Sequence, residues 1–221
     1  MKDDLNISPA YQHFLDFFTL TQLERLQGLD SSYFSSMTSE EKNKAFNYLK
    51  SNPNFTHHLE NLRGLYLCDS EKAINLFKEE LKKEPKRYPE QRDNDIIMHG
   101  RVFMSGYVCN YNPTKENIND LVSLDVRSSN EEVRSLKYQL IPSSPTTIEA
   151  INYLKETTID EKSTLPAATS TSTLMAMYGL KFKMNDKNYL KIYRGLRSLE
   201  KKENLAALKR LESLKEPVLI V

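Results

Sequence analysis

Ala45-Phe46-Asn47-Tyr48-Leu49-Lys50 returns as Ala73-Ile74-Asn75-Leu76-Phe77-Lys78 and again as Ala150-Ile151-Asn152-Tyr153-Leu154-Lys155, and without its first two residues as Asn188-Tyr189-Leu190-Lys191. The Asn positions fall 28, 77 and 36 residues apart. Because 77 is close to two steps of 38, the spacing marks a repeated structural unit. An Ala followed three and four places later by large apolar residues lays one buried stripe along a helix, and the small residue lets a neighbouring helix approach. Asn is a mediocre helix former that satisfies itself locally, so Asn47, Asn75 and Asn152 read as a structural ladder that bridges to the loop of the adjacent unit.

Composition supports an all-α class. Six Gly and nine Pro supply few of the turns that a sandwich or barrel needs, while Leu, Lys, Glu and Ala favour helices throughout. At 221 residues one substantial core suffices, and a single domain is expected: an N-terminal cap over 1–36, helical repeats over 37–199 and a C-terminal cap over 200–221. The net charge of +1 conceals a gradient. Met1 to Glu41 holds seven acids against two bases, and Lys181 to Glu216 holds eleven bases against five acids. Cys68 and Cys109 lie far apart with no companion at metal spacing, so no disulfide framework, zinc site or other cofactor is expected. The start Met1-Lys2-Asp3-Asp4 is acidic where a secretory signal is basic, and no apolar run approaches membrane length; a cytoplasmic protein is expected.

Caps and period place the helices. Ser8-Pro9 opens one through Phe18, and Leu20, Leu23, Leu26 and Gly28 form a short turn-bounded piece. Thr38-Ser39-Glu40-Glu41 is a capping box for a helix through Ser51, and Phe55 to Leu67 is the next helix. Asp69 and Thr146 cap two more, each four residues before the Ala of the repeated phrase. Ile96–Cys109, Lys115–Leu124, Asn130–Leu140, Leu174–Lys183, Tyr189–Leu199 and Asn204–Leu214 follow by apolar spacing. The run Thr169-Ser170-Thr171-Ser172-Thr173 reads as a connection or N-cap region.

Leu121-x-x-Leu124-Asp125, the loop Arg127-Ser128-Ser129, and Asn130-Glu131-Glu132-Val133-Arg134-Ser135-Leu136-x-x-x-Leu140 resemble the second half of a HEAT repeat over about twenty residues. The resemblance implies a degenerate HEAT-like α-solenoid of about five helical hairpins. It also implies that Asp125 and Arg134 are the stacking pair that ties repeats together. The phrase-bearing helices lack Val-Arg, so the repeats are irregular.

Chemistry is sparse. No phosphate loop, dinucleotide fingerprint, zincin motif or nucleophile elbow occurs, so a non-enzyme is expected. His57 and His58 point roughly 100 degrees apart on a helix and cannot share a metal. In the cluster His99-Gly100-Arg101 with Ser105 and Cys109, residues 101, 105 and 109 align on one helix face; such a stripe could hold an anion but reads as a helix contact with one snorkelling Arg, and Gly100 and Gly106 favour that close approach. A solenoid offers an extended binding face that needs no catalytic motif, so a protein partner is expected, with Arg101, Arg127, Arg194 and Arg197 as anchors. In size and class the chain resembles bacterial immunity proteins, which implies occlusion of a cognate toxin's active site. The alternatives are a nucleic-acid-binding or DNA-repair protein using the basic C-terminal third, and a secreted effector or adaptor scaffold. Against repair, the Trp on which HEAT-like glycosylases depend is absent.

Overall fold

The computed structural model describes residues 7–21, 23, 25, 28–183 and 185–220. Among the described residues it is all-helical, with twelve α-helices. The chain divides into two compact units, Met1–Glu84 and Pro85–Val221. That boundary falls inside the stretch read as continuous repeats, where residues 82 to 92 are all exposed.

In the first unit, α1 (Pro9–Phe17) starts where the Ser8 hydroxyl accepts the Tyr11 N–H at 3.1 Å. Its Phe14 ring meets Phe34 of α2 (Ser32–Ser35) at a tilt and Tyr48 of α3 (Ser39–Ser51) edge-on, so aromatic contacts join these three helices. The Thr38–Glu41 capping box forms in both directions. Of the short Leu20–Gly28 piece, residues 22, 24, 26 and 27 lie outside the described residues. The helix expected over Phe55–Leu67 is a 3-10 turn, Phe55–His57, followed by α4 (Leu59–Cys68), because His58 is extended between them. Gly64 allows α4 to meet α3: a Cβ there would stand 2.8 Å from a Leu49 methyl. Asp69 caps α5 (Ser70–Lys82) through the Lys72 N–H, as expected.

The second unit comprises α6 (Gln91–Tyr111), α7 (Lys115–Ser123), α8 (Glu131–Leu140), α9 (Ile148–Asp160), α10 (Thr164–Met177), α11 (Lys187–Leu196) and α12 (Lys201–Glu212). These helices form two layers. In one, α6 packs on α8, α8 on α10 and α10 on α11; in the other, α7 packs on α9 and α9 on α12. The pairs α6–α7, α9–α10 and α11–α12 join the layers. Between them Ile118, Leu121, Ala150, Leu154, Leu174 and Ile192 form a dry core.

Two expectations are corrected here. Helix α10 begins at Thr164, so the Ser/Thr run is its interior and not a connection. Its hydroxyls fold back onto preceding carbonyls (Thr169 to Leu165 at 2.9 Å, Thr171 to Ala167 at 2.7 Å), which lets polar side chains pass through a buried helix. The cap of α9 is Thr147, not Thr146. Thr146 is held instead by the C-terminal tail, its N–H donating to Val218 and its carbonyl accepting from Ile220. The Ala of the phrase therefore stands three residues after the cap in α9 and four in α5, so the two placements are not equivalent.

The phrase itself packs with an adjusted stripe. Its Ala and the residues one and four places on are buried in all three full copies: Ala45, Phe46, Leu49; Ala73, Ile74, Phe77; Ala150, Ile151, Leu154. The residue three places on varies, and Tyr48 is 43% exposed.

A candidate binding cleft between α8 and α9

Helix α7 ends at Ser123, and its last carbonyls need donors. Lys137 provides them. It stands one turn after Val133 on the buried face of α8, only 1% exposed, and its Nζ donates to the carbonyls of Val122 at 2.7 Å and Leu124 at 2.6 Å. The same Nζ lies 4.1 Å from the centre of the Tyr153 ring on α9. Burial pulls this lysine's pKa down to about 7, with the Asp125 charge acting in the opposite sense. Burial likewise raises the Tyr153 phenol, and burial with the nearby Glu161 charge raises Tyr138 to about 12.

Beside Lys137, Arg134 spans from α8 to the turn after α9. Its Nε donates to Glu161 at 2.9 Å, a second nitrogen donates to the Ser163 hydroxyl at 2.8 Å, and a third to the Ser129 carbonyl. Glu161 also accepts the Ser163 N–H at 3.0 Å and the Tyr138 hydroxyl at 3.4 Å. Burial alone would raise the Glu161 pKa, but the Ser163 N–H and Arg134 outweigh it and hold the carboxyl below its usual value. At the rim, Asp125 grips Arg127 through two side-chain bonds at 2.9 and 2.8 Å and one backbone bond at 3.1 Å. Those bonds bring the exposed Asp125 carboxyl down to about 2.

These groups enclose a cleft of about 660 Å³, open to solvent, whose far wall is Tyr153, Glu156, Thr157 and Asp160 of α9. Glu156, Asp160 and Lys162 are exposed at its mouth and make no ion pair among the described residues. Lys137 spends its donors on two carbonyls and a ring face, and Arg134 and Glu161 are bonded to each other and to Ser129, Ser163 and Tyr138. What the cleft presents to solvent is a shaped surface with two tyrosine rings in its lining and fixed charge at its rim.

Arg127, Asp125 and Arg134 from the sequence reading therefore meet in one place. Asp125 and Arg134 are not bonded to one another: each has a nearer partner of its own, Arg127 and Glu161. Arg101 is half-buried and lines a second cleft of about 510 Å³ with Arg87, Tyr88 and Ser128, sharing the edge Leu124–Asp125 with the first. Arg194 and Arg197 belong to neither cleft; Arg194 is exposed on α11 and Arg197 is its C-cap. Asn47, Asn75 and Asn152 are exposed and make no side-chain hydrogen bond among the described residues, so they bridge no adjacent loop. The phrase points them outward because its buried stripe runs through positions one, two and five.

The stripe along α6 is a helix contact. Ser105 and Cys109 are buried, and the Cys109 thiol donates to the Asn117 carbonyl at 3.0 Å. A Cβ at Gly106 would stand 2.6 Å from a Leu140 methyl, which is why α6 and α8 need a glycine there. Burial pushes both cysteine thiols up to about 12. Among the described residues, no three His, Cys, Asp or Glu side chains are grouped to hold a metal ion, and no helix is long and apolar enough to cross a membrane.

Lys137, Tyr138, Tyr153 and Glu161 escaped the sequence reading. One signal was present: Lys137 lies four residues after Val133 and three before Leu140, inside the apolar stripe of α8. Comparison with protein-family models, with curated proteins and with solved structures finds no match for this chain.

Proposed function

We propose that this chain is a non-catalytic, protein-binding helical module that seats a segment of its partner in the α8–α9 cleft. The observation that carries the proposal is the saturation of that cleft: every ionisable group on its floor is already engaged, while the rim charges of Glu156, Asp160 and Lys162 stay open. A HEAT-like reading is supported by the two-layer order, with α7 on α9 and α8 on α10. Asp125 and Arg134 then serve their loops through Arg127 and Glu161 instead of a shared ladder. The partner class argued from size is a bacterial toxin met in the cytoplasm, whose active site the module would occlude; the rim charges would steer the encounter.

Co-expression with the product of the neighbouring gene tests this directly. The expected result is a complex that survives gel filtration and rescue of growth from that product, with both lost in Arg127→Glu/Asp160→Lys. Absence of both complex and rescue, or full binding by the charge-reversed variant, refutes the cleft as the site.

A further inference from the structure

The α11–α12 hairpin carries a second surface, distinct in charge from the cleft. Between Lys187 and Glu212 there are eight basic residues against three acidic ones. One of those three acids is neutralised by a base outside the hairpin, Glu212 pairing at 2.6 Å with Lys155 of α9, while Glu203 accepts the Ser198 hydroxyl. Lys187, Lys191, Arg194, Lys201, Lys202 and Lys209 are exposed and make no ion pair among the described residues. Lys187, Lys191 and Arg194 follow one another at four and three residues, which aligns them along one exposed edge of α11.

The hairpin is held rigid beneath them. The Asn204 amide donates to the carbonyls of Gly195, Leu196 and Ser198 at 3.1, 3.0 and 2.9 Å, closing the end of α11. At the other end Arg210 donates to the Asn188 side chain at 3.2 Å, so a guanidinium of α12 joins the Lys187–Lys191 edge of α11. Just before α11 stands Lys181-Phe182-Lys183, all exposed, with Phe182 66% open and its ring 5.3 Å edge-on from Tyr189. Tyr189 is buried and stacks with Tyr193. A largely exposed aromatic ring thus stands between two lysines at the head of a basic edge.

We propose that this hairpin binds single-stranded nucleic acid, its phosphates running along the Lys187–Lys191–Arg194 edge and an unpaired base stacking on Phe182. A row of unpaired cations complements a polyanion, and an exposed ring adds a sequence-tolerant platform that only an unstacked base can use. A duplex buries its base faces and gains nothing from Phe182. A lipid surface needs a contiguous apolar face, whereas Phe182 and Leu199 lie at opposite ends of α11, about 15 Å of helix apart.

The test is fluorescence anisotropy of the full chain with a labelled oligothymidylate about 20 nucleotides long, a duplex of equal length, and vesicles containing phosphatidylserine. Micromolar binding of the single strand is expected at 50 mM salt, weakening about 50-fold at 200 mM if four phosphates are contacted. Lys191→Glu/Arg194→Glu should weaken it at least tenfold and flatten the salt dependence. Phe182→Ala should weaken it about tenfold and leave the salt dependence unchanged, since stacking is not electrostatic. Unchanged helical circular dichroism checks the fold of these surface variants. No binding at 50 mM salt, duplex binding equal to single-strand binding with no effect of Phe182→Ala, or tighter binding to the vesicles each overturns the proposal.

Discussion

Lys137 makes the interior of the cleft measurable through pH. Its pKa in the folded chain is about 7, against an ordinary 10.5. Between those values the unfolded chain holds a proton that the folded chain has released, so stability rises with pH across that window. From pH 7 to 8.5 the gain amounts to about 1.5 kcal/mol, worked from ~1.36 kcal/mol for each unit of pH over which the two states differ by a full proton. The raised thiols of Cys68 and Cys109 act in the opposite sense, because the unfolded chain loses those protons first; their effect grows only as pH nears the ordinary thiol value of 9.0. Urea unfolding followed by helical circular dichroism at pH 7, 7.5, 8 and 8.5 gives the slope. Lys137→Met provides the reference: it keeps the apolar stem against Tyr153 and has nothing to titrate. The expected result is a rising profile in the parent chain and a flat or slightly falling one in the variant. Parallel profiles would refute the argument, and would mean that the carbonyls of Val122 and Leu124 and the Tyr153 ring hold a full ammonium charge above pH 8.

Removing Arg134 should cost more than removing a surface charge, because the Glu161 side chain it leaves behind is only 11% exposed. Arg134→Met is expected to lower stability by about 3 kcal/mol, and Glu161→Gln in the same background should recover part of that loss in urea midpoints. Gly195 touches Ala207 so closely that a Cβ would stand 2.8 Å from the Ala207 Cβ, and an alanine has no rotamer with which to yield. Gly195→Ala should therefore destabilise by about 1 kcal/mol despite its better helix propensity, and Ala207→Gly should relieve the clash; a rise in melting temperature for Gly195→Ala alone would contradict this.

Most helix starts were legible because their cause is local. Ser8, Thr38, Asp69 and Asn130 each accept an N–H from within their own first turn, so a few adjacent residues decide the boundary. Thr146 and Thr147 show the limit of that reasoning. Either hydroxyl could cap α9, and the choice is made by the pairing of Thr146 with a tail more than seventy residues away. Helix α10 hid for a related reason: a Ser/Thr run is a poor helix on propensity alone, and only its bonds to carbonyls three and four residues back make burial tolerable.

The cleft was legible in part. Arg134 stood out by its Val-Arg context, yet its partner Glu161 is 27 residues on and carries no local mark. Lys137 was hidden by its charge, since a lysine in a helix is read as solvent-facing unless the stripe it interrupts is counted against it. The repeated Asn shows the converse error. Repetition drew attention to Asn47, Asn75 and Asn152, but the residues that repeat for packing are the Ala before them and the apolar residues one and four places after it. What the phrase fixes is the buried side of α3, α5 and α9. In α9 that register places Tyr153 in the far wall of the cleft and sets Glu156 and Asp160, three and seven residues later, along the same wall. Position within the apolar period, more than residue identity, is therefore what ties the repeated phrase to the candidate site.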